Sequence, residues 1–177
     1  MVRKIGLFFA YSAFFVLMVL FFIPKDSLYY FAEKELKKNG VIVSDEVVKD
    51  RGFTLELSDA TLYVKAIKSA HIDSVEILPL LVFNSIDLHN IVLAKTFKVF
   101  VPQNIASVHI KHTIFDPLHI YATAKGDFGD AKAVVDTLKR VVHIDLSPSK
   151  KMLQEYKTAL RELKKSKNGV YSYDAKF

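Results

Sequence analysis

The sequence contains no cysteine and no tryptophan among its 177 residues. The absence of cysteine excludes a disulfide framework, thiol nucleophiles and cysteine-based metal sites. The fold must therefore be held by hydrophobic burial and by backbone pairing. The chain also has no low-complexity stretch and no long internal linker, so the part that follows its first 23 residues is expected to form one compact domain.

The motifs of the common enzyme classes are absent as well: there is no G-x-S-x-G, P-loop, G-x-G-x-x-G or H-E-x-x-H pattern. Residues 127–129 read Asp-Phe-Gly, as in kinases, but the remainder of that signature is missing. The two glycines and two aspartates of residues 126–130 instead predict a turn. We predict no enzyme, no catalytic residues and no cofactor.

Histidines and aspartates are the remaining candidates for a metal site. His109, His112 and His119 lie within one stretch together with Asp116, and such side chains bind zinc. Strand alternation, however, places His109 and His112 on opposite faces. We therefore predict ordinary surface histidines and no metal ligand.

A long apolar run, residues 5–23, follows Arg3 and Lys4 without a charged residue. At about 1.5 Å per residue, a helix of this length crosses a hydrocarbon core of about 30 Å. We predict a transmembrane anchor over residues 5–23, with residues 1–4 held in the cytoplasm by their positive charge. The representative anchor side chains are Ile5, Leu7, Phe8, Phe14, Phe15, Leu17, Leu20, Phe22 and Ile23.

Two alternatives to this anchor exist. A cleaved signal peptide is disfavoured because the run exceeds the usual apolar region of about 7–15 residues and no small-x-small site follows it. The reverse topology remains open, since Lys25 and the lysines of residues 34–38 compete with the two N-terminal charges.

The formal net charge of +6 has local sources. One lies in residues 34–38, and the other lies near the C-terminus, where Lys157, Arg161, Lys164 and Lys165 are candidate contacts for a partner or a lipid headgroup. An anionic membrane surface is the expected neighbour of such groups. Nucleic acid is not expected, because the lysines do not interleave with aromatic stacking positions.

The remaining pattern predicts a mainly β protein with flanking helices. Residues 24–40 form an amphipathic helix beside the membrane, capped by Asp26 or Ser27 and ended by Asn39 and Gly40. Residues 41–177 alternate with period two, including residues 95–101, and predict a curved antiparallel sheet. An amphipathic helix over residues 149–165 and a final strand over 170–177 complete this domain.

The apolar positions of the strands support two interpretations. They form either one closed core or, if the sheet is an open half-pipe, a groove able to hold an acyl chain. The final strand is also free to pair with a partner's sheet. The positions in question are Phe53, Leu55, Leu57, Leu62, Val64, Val108, Ile110 and Ile120.

Several short motifs occur in a familiar order. They are residues 22–26 (Phe-Ile-Pro-Lys-Asp), 38–40 (Lys-Asn-Gly), 52–60, 124–129, 145–149 and 168–171. In this order the chain resembles the type II secretion system protein N family and its relatives among the AsmA-like periplasmic β-sheet proteins. The resemblance covers most of the chain, although the chain is short for that family. It implies one inner-membrane helix, a periplasmic β-rich domain and no known enzymatic activity.

We expect from this a single-pass protein of the bacterial inner membrane, with its C-terminal domain in the periplasm. Its expected role is that of a structural or interaction subunit in an envelope machine, such as a type II secretion, pilus, DNA-uptake or motor assembly. Other envelope proteins would be its partners. The alternative is an AsmA-like module that binds or transports phospholipid in an apolar groove.

Overall fold

The structure, a computed structural model, describes residues 2–80, 82–166 and 168–177. It begins with helix α1 (Val2–Phe22), whose stretch Lys4–Phe22 has a mean hydropathy of 2.5 and no buried residue. This helix is long and apolar enough to cross a membrane, a property that membrane spans share with signal sequences. Ile23, the last residue of the predicted anchor, lies just past its end.

Helix α2 (Lys25–Lys38) follows almost at once and corresponds to the predicted amphipathic helix. The predicted caps are wrong: Pro24 occupies the N-cap position and no side chain bonds there. Proline suits this place because its fixed φ is compatible with a helix start and its missing N–H needs no partner. The predicted stop is confirmed, since Gly40 adopts a φ of 77° directly after the C-cap Asn39.

The rest of the described chain is a single antiparallel sheet of eleven strands, which confirms the mainly β class. The strands are β1 (Val41–Ser44), β2 (Val47–Asp50), β3 (Leu55–Val64), β4 (Ile67–Pro79), β5 (Phe83–Leu93), β6 (Asn104–Thr113), β7 (Asp116–Gly126), β8 (Gly129–Asp136), β9 (Val141–Pro148), β10 (Lys164–Lys165) and β11 (Tyr171–Lys176). Their order is β1-β3-β4-β5-β6-β7-β8-β9-β11-β10, with β2 also paired to β3. The first and last strands of this order, β1 and β10, are not paired with each other, so the sheet is open.

Two segments differ from the sequence-based prediction. Lys95–Val99 is a 3₁₀ helix and not a strand. It belongs to the connection from β5 to β6, which is closed by the Leu93 N–H donating to the Gln103 carbonyl at 2.8 Å. A period-two pattern of seven residues does not distinguish such a connection from a strand, because its apolar side chains also alternate.

The predicted helix 149–165 is divided into α3 (Lys150–Glu155) and α4 (Lys157–Arg161), and β10 follows. The break lies at Tyr156, whose backbone has φ −118° and ψ 35°. Because Met152, Tyr156 and Leu160 are all buried, the bent segment still keeps its apolar side chains together. Ser149 caps the start of α3, with the Met152 N–H donating to Ser149 Oγ at 3.1 Å.

The hairpin turns give the sheet two rims. The near rim contains residues 51–54, the turn around Leu80 and Val82, residues 114–115, residues 137–140 and Phe177. The far rim contains residues 65–66, 94–103 and 127–128 together with Ser149. Helix α1 ends at the near rim, where the Phe21 ring packs edge to face on Phe53 with centroids 5.2 Å apart.

Candidate functional site

The strand register places apolar side chains opposite one another along one face of the sheet. Two adjacent rows run from β3 to β11: Leu55, Ile77, Ile86, Ile110, Ala122, Ala133, Ile144, Tyr173, and Leu57, Val75, Leu88, Val108, Ala124, Ala131, Leu146, Tyr171. Neither row contains a charged residue. We call this side of the sheet the apolar face.

The residues between these two rows lie on the opposite, polar face, because successive strand residues alternate in direction. From β3 to β11 they are Glu56, Glu76, Asp87, His109, Thr123, Lys132, Asp145 and Ser172. The sheet is therefore amphipathic from end to end.

At its β3 end the apolar face is closed by packing. Leu55 and Leu57 are each 2% exposed and belong to a buried cluster with Ile72, Val75 and Ile91. Tyr29 of α2 packs against this cluster, and its hydroxyl donates to Glu46 at 2.9 Å. Burial, followed by this bond, raises the pKa of Tyr29 well above its ordinary value. Helix α2 thus acts as a lid over the first strands.

The β9 end of the face is closed by a second cluster. Phe128, in the turn between β7 and β8, and Leu146 of β9 pack with residues of the C-terminal helical segment. These residues are Met152, Tyr156 and Leu160. A cavity of about 230 Å³ remains beside them. Its walls are Val101, Phe128, Ala131, Ile144, Leu146, Met152, Leu163, Tyr171 and Tyr173.

The two clusters meet at Ile105, which packs against both, and each residue of the row from Leu57 to Tyr171 belongs to one cluster or the other. On the near-rim side of this meeting point lies an open section of the apolar face, which we call the central section. Its side chains are only half-buried and belong to neither packed cluster. Its members are Ile110, Ile120, Ala122, Ala133, Val135 and Val142. Ala122 and Ala133 face each other here, and their side chains are smaller than those of Ile110 and Ile120 beside them.

The predicted apolar positions are distributed among these three regions. Leu55 and Leu57 are in the closed β3 end, with the half-buried Leu62 packed against the same cluster. Val108 lies at the border of that cluster, while Ile110 and Ile120 are in the central section. The structure separates two members of the predicted set from the face, because each stands at a rim.

Phe53 precedes β3 and turns to Phe21 at the near rim, and Val64 is exposed at the far rim. Phe53 lies before the first residue of β3, where the alternating pattern no longer applies, whereas Val64 is the last residue of β3 and is exposed because it stands at the rim of the sheet. The register of β3 is unaffected by them.

At the near rim, α1 and the sheet enclose a cavity of about 440 Å³. Its walls are entirely apolar: Val16, Leu17, Leu20, Phe53, Leu78, Leu80 and Val82. Gly52 permits the close approach of the two parts, because a side chain at this position would meet the Phe21 ring. Its φ of 89° also favours glycine.

Lys25 connects the end of α1 to the sheet through hydrogen bonds and an ion pair. Its Nζ is buried and donates to the carbonyls of Leu20 at 3.1 Å, Phe21 at 3.3 Å and Ile23 at 3.1 Å. These oxygens end a helix and have no intrahelical partner. The ammonium also lies 3.9 Å from Asp50 of β2, so one side chain joins three elements.

The predicted basic contacts gather near the β9 end. Lys157, Arg161 and Lys165 border an open cavity of about 450 Å³, which also has apolar walls, and Lys164 precedes Lys165 in β10. Lys165 Nζ lies 5.7 Å from the centroid of the Tyr171 ring. Cationic side chains therefore lie beside an apolar hollow, an arrangement suited to an amphiphile with an anionic head group.

The polar face carries histidine–aspartate pairs and no metal centre: the described residues contain no group of three or more metal-binding side chains. His109 Nδ1 lies 2.5 Å from Asp87, and His143 Nδ1 lies 2.6 Å from Asp174. The bond to Asp174, with Asp145 nearby, raises the pKa of His143.

Another such pair stands at the near rim, where Asp116 accepts from Tyr121 and contacts His119. These bonds hold the pKa of Asp116 below its usual range. The prediction that the protein is not an enzyme is not tested by any of these contacts.

Comparison with known proteins adds no further identification. No protein-family model, curated protein or solved structure matches this chain. The resemblance to AsmA-like proteins therefore stays a prediction from the motifs.

The contacts of Lys25 and the facing alanine positions are not apparent from single motifs. A signal for the alanines does exist, because residues 122–124 and 131–133 both read Ala-x-Ala in facing strands. For Lys25 the sequence shows only a lysine that follows a proline, and such a lysine is typical of a surface position.

Proposed function

We propose that this protein is a membrane-anchored acyl-chain-binding protein, which holds the apolar part of a phospholipid on the open section of its sheet. One observation carries the proposal: two apolar rows cross the sheet, packed clusters cover both ends, and the side chains between them on the near-rim side are half-buried and belong to neither cluster. A soluble domain that needed only a core would cover these side chains, because exposed contiguous apolar patches are unfavourable in water.

The size of the central section suits hydrocarbon chains. It extends over strands β6 to β9, which at about 4.8 Å per strand is roughly 14 Å. The small side chains of Ala122 and Ala133 face each other in the middle of this span, and we assign the depression that they leave in the face as the channel for the acyl chain.

The near rim supports a membrane source for the ligand. The cavity between α1 and the β4–β5 turn has only apolar walls and lies at the near rim, where its β4 residue Leu78 is on the side of the strand opposite to Ile77. If α1 is a membrane anchor, lipid chains reach the apolar face around this rim. The two half-open hollows at the β9 end would then receive the far end of the ligand.

The proposal keeps the predicted location, a single-pass protein of the bacterial inner membrane with its N-terminus in the cytoplasm and its sheet in the periplasm. It also agrees with the AsmA-like character implied by the motifs. It requires no chemical step, so the absence of catalytic motifs is consistent with it.

The test is lipid content after purification in a mild detergent, measured by mass spectrometry for the wild type and a matched pair of variants. Ala122→Asp places a charge in the central section, whereas Thr123→Asp places the same charge on the exposed polar face of the same strand. We expect bound phospholipid in the wild type and in Thr123→Asp, and its loss in Ala122→Asp.

A third variant separates lost binding from lost folding. Ala122→Phe fills the channel without introducing charge, so it should also reduce bound lipid while circular dichroism stays unchanged. Wild-type protein that carries no lipid, or equal lipid in all variants, would refute the proposal.

A second function, as an interaction subunit of an envelope machine, is favoured by one separate observation. Within the described residues, β10 pairs only with Tyr171 and Ser172, so the outer edge of β11 is unpaired from Tyr173 to Lys176. A partner's strand can add to such an edge. Crosslinking in intact cells from a photoreactive residue at Tyr173 should then recover a stoichiometric envelope protein, and lipid-bearing solitary protein would contradict this role.

A further inference from the structure

We propose that the near rim of the sheet lies in the lipid–water interface, where its hairpin turns form a second attachment to the membrane beside α1. The occupant of this surface is the bilayer itself. The inference rests on the proposal that α1 is a membrane anchor, and it goes beyond acyl-chain binding, which uses this rim only at the cavity beside α1.

The depth of the first turn follows from its contacts with α1. Leu80 and Val82 share a cavity with Val16, Leu17 and Leu20 of the helix. These helix residues lie two to six positions before Phe22, where α1 ends, which is about 3–9 Å at the rise of an α-helix. If α1 spans the membrane, the turn lies within the membrane, deeper than the residue at which the helix emerges from it.

The other turns of the near rim present apolar side chains to the outside. Phe115 is 85% exposed, and Ile114 beside it is 51% exposed. Leu138 in the β8–β9 turn is 72% exposed, and Phe177 is 66% exposed. Solvated turns are normally polar, so one large apolar side chain at each successive turn indicates a non-aqueous neighbour.

Backbone hydrogen bonds join these turns into one edge. The Ile114 N–H donates to the Val82 carbonyl at 3.2 Å, and the Phe177 N–H donates to the Arg140 carbonyl at 3.2 Å. Between them the Thr137 N–H donates to the Leu118 carbonyl at 2.9 Å. The apolar side chains therefore follow a connected rim that begins at α1.

The charges of the rim fit an interface. Lys139 and Arg140 directly follow Leu138, where long cationic side chains reach anionic headgroups while their stems stay apolar. Asp136 is paired with Lys139 at 3.0 Å, and Asp116 is bonded to Tyr121 and His119. Both carboxylates thus have partners within the protein.

The far rim supplies an internal control. Phe100 there is 63% exposed and Val99 is 79% exposed, so exposed apolar residues alone do not distinguish the rims. The far rim is separated from α1 by the length of a strand, about 33 Å for ten residues. Only the near rim is level with the apolar helix.

The experiment uses the absence of native cysteine. Single variants Phe115→Cys, Leu138→Cys, Phe100→Cys and Phe14→Cys carry an environment-sensitive fluorophore in the full-length chain, reconstituted into vesicles of phosphatidylethanolamine and phosphatidylglycerol. Quenching by doxyl-labelled lipid reports contact with the bilayer, and quenching by iodide reports contact with water.

We expect the probes at positions 115 and 138 to be quenched by lipid to an extent comparable with the probe at position 14 in α1. The probe at position 100 should respond to iodide only. If the probe at 14 reports lipid while those at 115 and 138 behave like the one at 100, the rim inference is wrong and the anchor stands. If the probe at 14 also reports water, the anchor fails and the rim inference fails with it.

Discussion

The closed β3 end and the open centre of the apolar face have the same alternating sequence pattern, yet they differ in whether other segments pack over them. Leu57 and Val108 occupy the same row of the sheet, but Leu57 is buried in a cluster and Val108 is half-buried at its border. The difference is produced by helices: α2 contacts β1 and β2, while α3 contacts β9.

This comparison shows that alternation determines which side of a strand is apolar, whereas the connections determine what covers it. Helix α2 reaches the first strands because Lys25 fixes its start at the end of α1. The C-terminal helices reach the last strands because they follow β9 directly. From β6 to β9 the strands are joined by short hairpins, and the sheet is left without cover where no helical segment is inserted.

The largest effect we predict separates these two regions by stability. Leu57→Ala removes a fully buried side chain and should reduce the free energy of unfolding by about 2–5 kcal/mol, whereas Val135→Ala in the half-buried centre should cost about 1 kcal/mol or less. Denaturation in detergent followed by circular dichroism measures both. Equal losses would mean that the centre is packed as tightly as the end, and the distinction between the regions would disappear.

An intermediate effect is expected where the closed end joins α1. Lys25→Met keeps the length of the side chain but leaves the three carbonyls and Asp50 without their cation, which should cost about 1–3 kcal/mol. Lys34→Met is the control, because Lys34 is exposed on the same helix and its loss should stay within about 0.5 kcal/mol. A similar midpoint for both variants would show that Lys25 does not stabilise the junction.

Much of the fold could be predicted from the sequence because its signals are local. The apolar run of α1, the Asn39–Gly40 stop and the period-two strands each depend on neighbouring residues. The 3₁₀ helix at Lys95–Val99 and the break at Tyr156 could not be predicted, since both are determined by tertiary contacts. In both places an amphipathic pattern is compatible with more than one backbone conformation.

The site was less accessible to prediction than the fold. From the sequence the apolar residues were compatible with a closed core, the favoured interpretation, and with an open groove, because alternation carries no information about what lies above a sheet. Ile110 and Leu55 are both predicted members of one set, yet only Leu55 is fully buried. The strand register and the helix positions were needed to separate them.

The smallest effect we predict belongs to the polar face, which is solvated along the whole sheet and so contrasts with the divided apolar face. Asp174 and Asp145 raise the pKa of His143 above its ordinary value of 6.5, while His143 lowers the pKa of Asp174. The contribution of His143 to stability is thus complete below about pH 6.5 and is lost as the pH rises through its raised pKa. That of Asp174 is lost as the pH falls through its lowered pKa. Both are small because the groups are about half-exposed and screened by salt.

Titration of the His143 ring by NMR in detergent micelles tests this pair. Asp174→Asn should lower the pKa of His143 more than Asp145→Asn does, because the bond to Asp174 is the leading cause of the shift. Asp73→Asn, which lies beside His71 on a distant strand, should leave the His143 titration unchanged. If the pKa of His143 is unchanged in Asp174→Asn, the bond to Asp174 does not raise it, because water screens this half-exposed pair.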